Sequence, residues 1–375
     1  MAGIYIHIPF CKQACYYCNF HFSTQQKSLP QMVDAIQKEA ILRKEYIAEK
    51  VATIYFGGGT PSLCTENDIS RTIDTIRNLF HVDEGAEITI EANPDDITPT
   101  KLDGWRSAGI NRLSIGIQSF LDKDLQWMHR AHNARQAIDS ILLAKDHGFH
   151  NISADLIYGT PTLNEKQWQQ NVETITTLNI PHISCYALTV EPKTALAKMI
   201  QKQEKENTDG DKQALHFELL VNWLQQAGYE HYEISNFAKP GYRSKHNSSY
   251  WQGKHYLGLG PSAHSFNGYS RQWNVANNAI YLESINQNLV PFEKEDLTTT
   301  QQLNEYIMTS LRTIEGTSLH YIENRWGKAM ADTIRTTAVI FIQKEMIILN
   351  NHSLQLTKQA RFLADGIASE FFILE

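Results

Sequence analysis

Cysteine is scarce in this chain: five occur in 375 residues, and three of the five crowd between positions 11 and 18. That is too few and too unevenly placed for the disulfide framework of a small secreted protein, so a reducing compartment is expected. Long apolar runs are missing too. Nothing approaches the ~20 residues that a bilayer-spanning helix requires, and the first residues pass directly into a strand-like run with no room for a signal peptide. The expected location is the cytoplasm. Basic charge is not in excess, since 34 Lys and Arg against 41 Asp and Glu leave a net −7. This removes the bulk electrostatic footprint of a nucleic-acid binder and counts against tRNA modification, while a local basic patch and peripheral membrane contact stay open. Internal repeats and low-complexity tracts are absent. What is left is an ordinary globular composition, 42 % hydrophobic and 20 % charged, long enough for one large catalytic domain and a smaller one.

Up to about residue 230 the chain alternates short β-branched apolar runs with longer helical patterns. Strands are expected at Ile4–Ile8, Thr53–Phe56, Glu87–Glu91, Arg112–Ile117, Ser153–Ile157 and Ile183–Leu188, with helices near 31–49, 66–80, 99–108, 133–147, 164–178 and 207–227. Six strand–helix units argue for a parallel β/α sheet, in which functional residues collect at the carboxyl ends of the strands. Gly109 and Gly148 read as helix C-caps. Lys202–Lys212 reads as an exposed loop, and residues 236–274, dense in Gly, Asn, Ser, His and aromatics, as a long structured loop. Beyond 298, helical patterns are expected around 301–313 and 359–373, with a hairpin at Met346–Leu356 turning at Asn350-Asn351. The expected division is a core barrel over 1–230, a connecting segment over 231–290 and a C-terminal domain over 291–375.

The chemistry starts at the end of the first strand, where Cys11-Lys-Gln-Ala-Cys15-Tyr-Tyr-Cys18 places three thiols in one loop. Two plain readings stand beside the sharp one: a zinc site with His21 as fourth ligand, or a disulfide pair with a spare thiol. The sharp reading is a [4Fe-4S] cluster, which takes four ligands, usually cysteine. Three thiolates leave one iron open, as an S-adenosylmethionine (SAM) radical enzyme requires. After the second strand comes Phe56-Gly57-Gly58-Gly59-Thr60-Pro61, whose glycines allow close backbone approach and present N–H or C=O groups.

With Tyr5-Ile-His-Ile-Pro-Phe-Cys11, the glycine run, Asn111-Arg-Leu-Ser-Ile-Gly-Ile-Gln118-Ser and Asp155-Leu-Ile-Tyr-Gly159, the chain resembles the HemN/HemW branch of the radical SAM superfamily over nearly its whole length. The resemblance implies a partial (β/α)6 barrel with a smaller C-terminal α/β or mainly helical domain. It implies that Cys11, Cys15 and Cys18 hold the cluster and that SAM chelates the open iron. Tyr5 would flank that iron, and Gly58, Gly59 and Thr60 would line the methionine moiety. Glu91 would accept from an ammonium or hydroxyl, Gln118 and Asp155 from the ribose hydroxyls. Arg130 would fork onto the SAM carboxylate, and Ala187 would pass its backbone by the adenine. The implied chemistry is one-electron cleavage of SAM to methionine and a 5′-deoxyadenosyl radical, or retention of SAM as a structural or regulatory ligand.

Within the branch, three features point away from coproporphyrinogen III dehydrogenase and toward the heme chaperones. Phe20 stands where the dehydrogenase motif has a further cysteine. Tyr5 is almost the first residue, where the dehydrogenases carry an extension. His246-Asn247-Ser248-Ser249-Tyr250-Trp251 resembles the chaperone's heme-binding HNxxYW signature. By that resemblance His246 offers an imidazole to heme iron, Tyr250 and Trp251 shape the pocket, and Lys245, Arg243 and Lys254 are near enough in sequence to reach the propionates. The plainer reading of His246 is a loop cap beside two core aromatics. His231, His255 and His264 are weaker candidates, His7 reads as a packing residue, and Cys64 and Cys185 as buried small hydrophobes. The expected partners are heme and heme-acceptor proteins, including membrane-associated respiratory proteins. Oxidation of coproporphyrinogen III by the deoxyadenosyl radical is the rival activity.

Overall fold

A computed structural model describes residues 1–374. The six expected strands form as β1 (Ala2–Ile8), β2 (Val51–Gly58), β3 (Val82–Ala92), β4 (Arg112–Gln118), β5 (Ile152–Tyr158) and β6 (His182–Ala187). They pair in that order, every neighbour parallel. β1 and β6 do not pair with each other, so the β/α barrel stays open. Helices at Glu66–Leu79, Pro99–Ala108, Ala134–Asp146 and Glu165–Thr177 lie where the patterning put them. Their starts are fixed by side-chain caps: Thr65, Asn133 and Asn164 each close a reciprocal capping box, and Thr98 accepts from the Lys101 amide. Gly109 at φ 95° and Gly148 at φ 80° end two of them in the left-handed region that favours glycine.

The differences have local causes. The first helix, expected to reach 49, ends at Leu42. Arg43 then turns inward to bond Glu39, the Gly258 carbonyl, Ser265 and Gln272, a tertiary tie that helix propensity does not register. The expected loop at 236–274 is instead built into the sheet. β7 (Glu230–Glu233) and β8 (Asn236–Ala238) extend the β6 edge. β9 (Tyr256–Leu259) adds in parallel to β1, and β10 (His264–Phe266), β11 (Ser270–Asn274) and β12 (Phe292–Asp296) continue antiparallel beyond it. The segment 231–290, expected as a connector, thus extends one 12-stranded sheet on both sides, and β12 carries that sheet past the boundary expected at 291. The HNxxYW segment is a short helix, Lys245–Trp251.

The remaining chain packs around its own apolar core of Leu303, Ile307, Leu319, Ile322, Ile334 and Leu354. Helices Thr299–Leu311, Leu319–Trp326 and Lys328–Gln343 surround a three-stranded antiparallel sheet. The expected hairpin forms, but its turn is one residue later, at Asn351 and His352, both at positive φ. The helix expected over 359–373 is shorter, a 3-10 turn at Arg361–Leu363 leading into Ala364–Ser369.

Candidate functional site

The loop after β1 carries Cys11, Cys15 and Cys18, none in a disulfide and all partly exposed. It is tied down from several sides. The Cys11 amide donates to the Ser23 carbonyl at 3.0 Å and the Tyr16 amide to Met128 at 3.2 Å, while the Tyr16 carbonyl accepts from Leu196 at 2.8 Å. The Tyr16 ring lies flat on His129 with centroids 4.4 Å apart. The Thr60 hydroxyl donates to Cys11 Sγ and Arg130 Nη1 to Cys15 Sγ, each at 3.3 Å. Burial raises the Cys11 thiol to about 11, opposed by Thr60 and reinforced by the other two thiols, so ligation there displaces protons, as thiolate–metal binding does. His21, the fourth ligand a zinc site would need, instead points its Nε2 at Asn278 Oδ1, 2.7 Å away.

The glycine run serves this loop. A Cβ on Gly59 would sit 2.6 Å from the Phe10 carbonyl and 2.7 Å from that of Ile8, so glycine lets the β2 turn close onto the end of β1 and carry Thr60 to Cys11. The polar residues expected at strand ends then meet in one interior. Glu91 accepts from the Tyr55 hydroxyl at 2.8 Å. Burial raises it to about 7, with Asp155 pushing the same way and Tyr55 opposing. Burial likewise raises Asp155 to about 6. Among the described residues neither carboxylate has an ion-pair partner. Gln118 ends β4 at φ 64°, a left-handed conformation that costs a non-glycine residue ~1–3 kcal/mol. Arg130 donates to Asn93 Oδ1 at 2.8 Å and the Gly116 carbonyl at 2.9 Å, while its buried Nε has no partner among the described residues. Tyr5 sits mid-strand, its hydroxyl 3.2 Å from His7 Nδ1, and Ala187 ends β6, its carbonyl accepting from the Thr189 hydroxyl at 3.4 Å. Two part-buried carboxylates without an ion-pair partner, beside an incompletely satisfied arginine, suit a zwitterionic ligand that carries extra positive charge. Asn93 and Tyr17 were not foreseen. Asn93 joins Arg130 to Thr60 and Tyr17 lies beside Arg130; only the position of Asn93, two residues past Glu91 at a strand end, could have drawn notice.

Between the barrel and the C-terminal domain lies a cavity of about 1180 Å³, above the usual span of ~300–1,000 Å³ for small-molecule sites. Tyr250 and Trp251 line it, together with Phe20, Phe266, Tyr306 and Tyr321; Phe20 is 67 % exposed. His246 does not line it. Only 1 % exposed, it is bonded through Nδ1 to Thr53 Oγ1 and through Nε2 to the Tyr250 hydroxyl, both at 2.8 Å. Its ring stacks on Tyr55 with centroids 4.9 Å apart, and burial holds it down to about 3, hence neutral. The helix start is fixed by Glu87, which accepts from the Lys245 and His246 amides. Of the cations expected to face the cavity, Lys245 does not line it, and Arg243 lines it but is paired with Glu230 and Glu315. Lys254 lines it with no acidic partner among the described residues, as does the unforeseen Arg325, which bonds Tyr321 and Gln302. His231 is buried away from the cavity against Phe237.

Residues 5–175 match the family model of the radical SAM superfamily and residues 297–363 that of the HemN C-terminal domain. The chain is 32 % identical to the Bacillus subtilis heme chaperone HemW, over 99 % of both lengths. It is 33 % identical to heme chaperone HemW of Mycobacterium tuberculosis, covering 97 % of this chain and 93 % of that one. Among solved structures, the radical SAM coproporphyrinogen III oxidase HemN of Escherichia coli superposes with a TM-score of 0.86 at 23 % identity, over 99 % of this chain and 90 % of that one, a likeness of fold. No helix among the described residues is long and apolar enough to cross a membrane.

Proposed function

The chain belongs to the HemW family of the radical SAM superfamily, and from that membership we propose that it captures heme in the cavity beside the barrel and passes it to acceptor proteins. The cavity carries this reading. It joins aromatic walls, suited to a flat macrocycle, with Lys254 and Arg325, whose charges suit two propionates. The HNxxYW helix enters through Tyr250 and Trp251, and His246 enters by holding Tyr250 in place.

The second element of the proposal is a [4Fe-4S] cluster on Cys11, Cys15 and Cys18, with SAM held by Tyr5, Gly58, Gly59, Thr60, Glu91, Gln118, Arg130, Asp155 and Ala187. Bound there, cluster and SAM supply one-electron reduction chemistry. The protein's own groups do the positioning. Thr60 and Arg130 fix two thiols, Arg130 keeps Nε for an incoming carboxylate, and Glu91 and Asp155 present buried acceptors to ammonium and hydroxyl groups.

The test is anaerobic. Protein reconstituted with iron and sulfide is titrated with hemin, and separately incubated with SAM, reductant and coproporphyrinogen III. Saturable hemin binding with a defined Soret band and no protoporphyrinogen supports the proposal; protoporphyrinogen formed over many turnovers overturns it in favour of the oxidase. Location in the cytoplasm and the absence of nucleic-acid partners belong to the same proposal.

A further inference from the structure

Resting on the heme reading above, we propose that the iron of a heme in this cavity is ligated by His264, at the start of β10, and not by His246. Four histidines are near enough to be weighed. His246 is sealed behind Tyr250 with both nitrogens bonded. His7 bonds the Tyr5 hydroxyl through Nδ1 and the His21 carbonyl through Nε2 at 2.9 Å. His255 turns Nδ1 to Glu49 at 2.5 Å and packs Nε2 against Gly268, where a Cβ would lie 2.7 Å from it. His7 and His255 line the cavity too, but of the four only His264 is exposed and has no hydrogen-bond partner on either ring nitrogen among the described residues.

Its placement is a consequence of strand alternation. Successive side chains of a strand point to opposite faces. On β10, His264 and Phe266 face the cavity while Ser265 turns the other way, bonding Arg43 and the Gly258 amide. On β11, Arg271 faces the cavity while Gln272 reaches the same buried Arg43. Gly258 lets β10 come this close, since a Cβ there would stand 2.1 Å from the His264 carbonyl. Trp273, the register partner of His264, stands beside the imidazole with centroids 6.3 Å apart. Partial desolvation and the charge of Arg271 hold His264 below the ordinary imidazole value. It therefore offers a lone pair near neutral pH, the form in which histidine binds heme iron.

The experiment compares wild type, His264→Ala, His246→Ala and His255→Ala, each titrated with hemin and with iron-free protoporphyrin while the Soret band is followed. The expected result is a loss of hemin affinity of tenfold or more in His264→Ala with protoporphyrin binding nearly unchanged, and added imidazole restoring the wild-type spectrum. His255→Ala should keep the wild-type iron spectrum, and His246→Ala, which frees Tyr250, should weaken both porphyrins alike while leaving the spectrum of bound hemin unchanged. Equal loss of both porphyrins in His264→Ala would make the residue a packing element and overturn the proposal. So would a changed iron spectrum in His246→Ala or His255→Ala with His264→Ala unaffected. If the wild type binds neither porphyrin, the heme reading itself fails, an outcome distinct from a shift of the ligand to another histidine.

Discussion

Tyr250→Phe isolates what His246 does in this fold. The substitution keeps the ring that edges against His246 and Tyr256 and removes only the hydroxyl bonded to His246 Nε2. His246 is 1 % exposed, so water cannot replace the lost partner, and a buried unsatisfied polar atom costs ~1–3 kcal/mol. The other nitrogen stays bonded to Thr53, so the imidazole cannot turn toward a new partner without breaking that bond. A loss of ~2 kcal/mol of stability is expected, read as a lower urea midpoint at unchanged slope. The asymmetry of hydrogen-bond energetics supplies the control. Combining Tyr250→Phe with His246→Leu removes the polar demand on both sides and should cost less than the two single changes added together. A Tyr250→Phe midpoint equal to wild type, or strict additivity in the double variant, would refute the claim that this bond is closed in the folded protein.

The raised carboxylates make a pH prediction. Folded Glu91 and Asp155, raised to about 7 and about 6, hold protons that the unfolded chain has released at their ordinary values. Their contribution to stability is complete below those ordinary values and is lost as pH rises through 6 to 7. For Glu91 that amounts to roughly 3 kcal/mol, so unfolding midpoints of ligand-free protein should fall between about pH 5 and about pH 8, and Glu91→Gln should flatten the profile. Arg130→Leu leaves the part-buried Asn93 Oδ1 and Gly116 carbonyl without their donor; it should weaken SAM binding tenfold or more by calorimetry and lower the thermal midpoint. Gly59→Ala drives a methyl into the Phe10 and Ile8 carbonyls, pushing Thr60 off Cys11, and should lower iron and acid-labile sulfide after anaerobic reconstitution. Cys15→Ser should remove the broad iron–sulfur absorbance while far-UV circular dichroism stays that of wild type.

The barrel was legible because its signals are local. Each buried strand is a short β-branched run, each helix start carries its own cap, and Gly109 and Gly148 mark helix ends without reference to anything distant. The cysteine triplet and the strand-end polar residues share that property. The return of the chain at 256–296 was not legible, because β9 to β12 are held by what lies opposite them. β9 has only four residues and no alternation of its own; it becomes a strand because β1 would otherwise expose an unpaired edge. For the same reason the HNxxYW motif ranks His246 above His264 in sequence, and nothing beside either residue tests that order. One is sealed by Thr53, 193 positions away, the other is turned outward by a register that depends on Arg43, and neither fact leaves a trace in the residues beside it.

That added edge also explains how two sites sit together without merging. Tyr5 and Tyr55 are register partners on β1 and β2, with rings 6.1 Å apart. Tyr55 touches both sides at once, its hydroxyl on Glu91 and its face on His246. Gly57 keeps the gap between them, since a Cβ there would fall 2.9 Å from Tyr55, 3.0 Å from Tyr5 and 3.1 Å from Glu91. One packed layer of aromatic rings therefore forms the back of the carboxylate site and the seat of the HNxxYW helix. A ligand that displaced Tyr55 by drawing Glu91 away would act on the wall behind His246, and linkage would then make the effect reciprocal. A barrel closed at β1 would have no such shared wall, so the strands that extend the sheet are what set the cavity beside the cysteine loop.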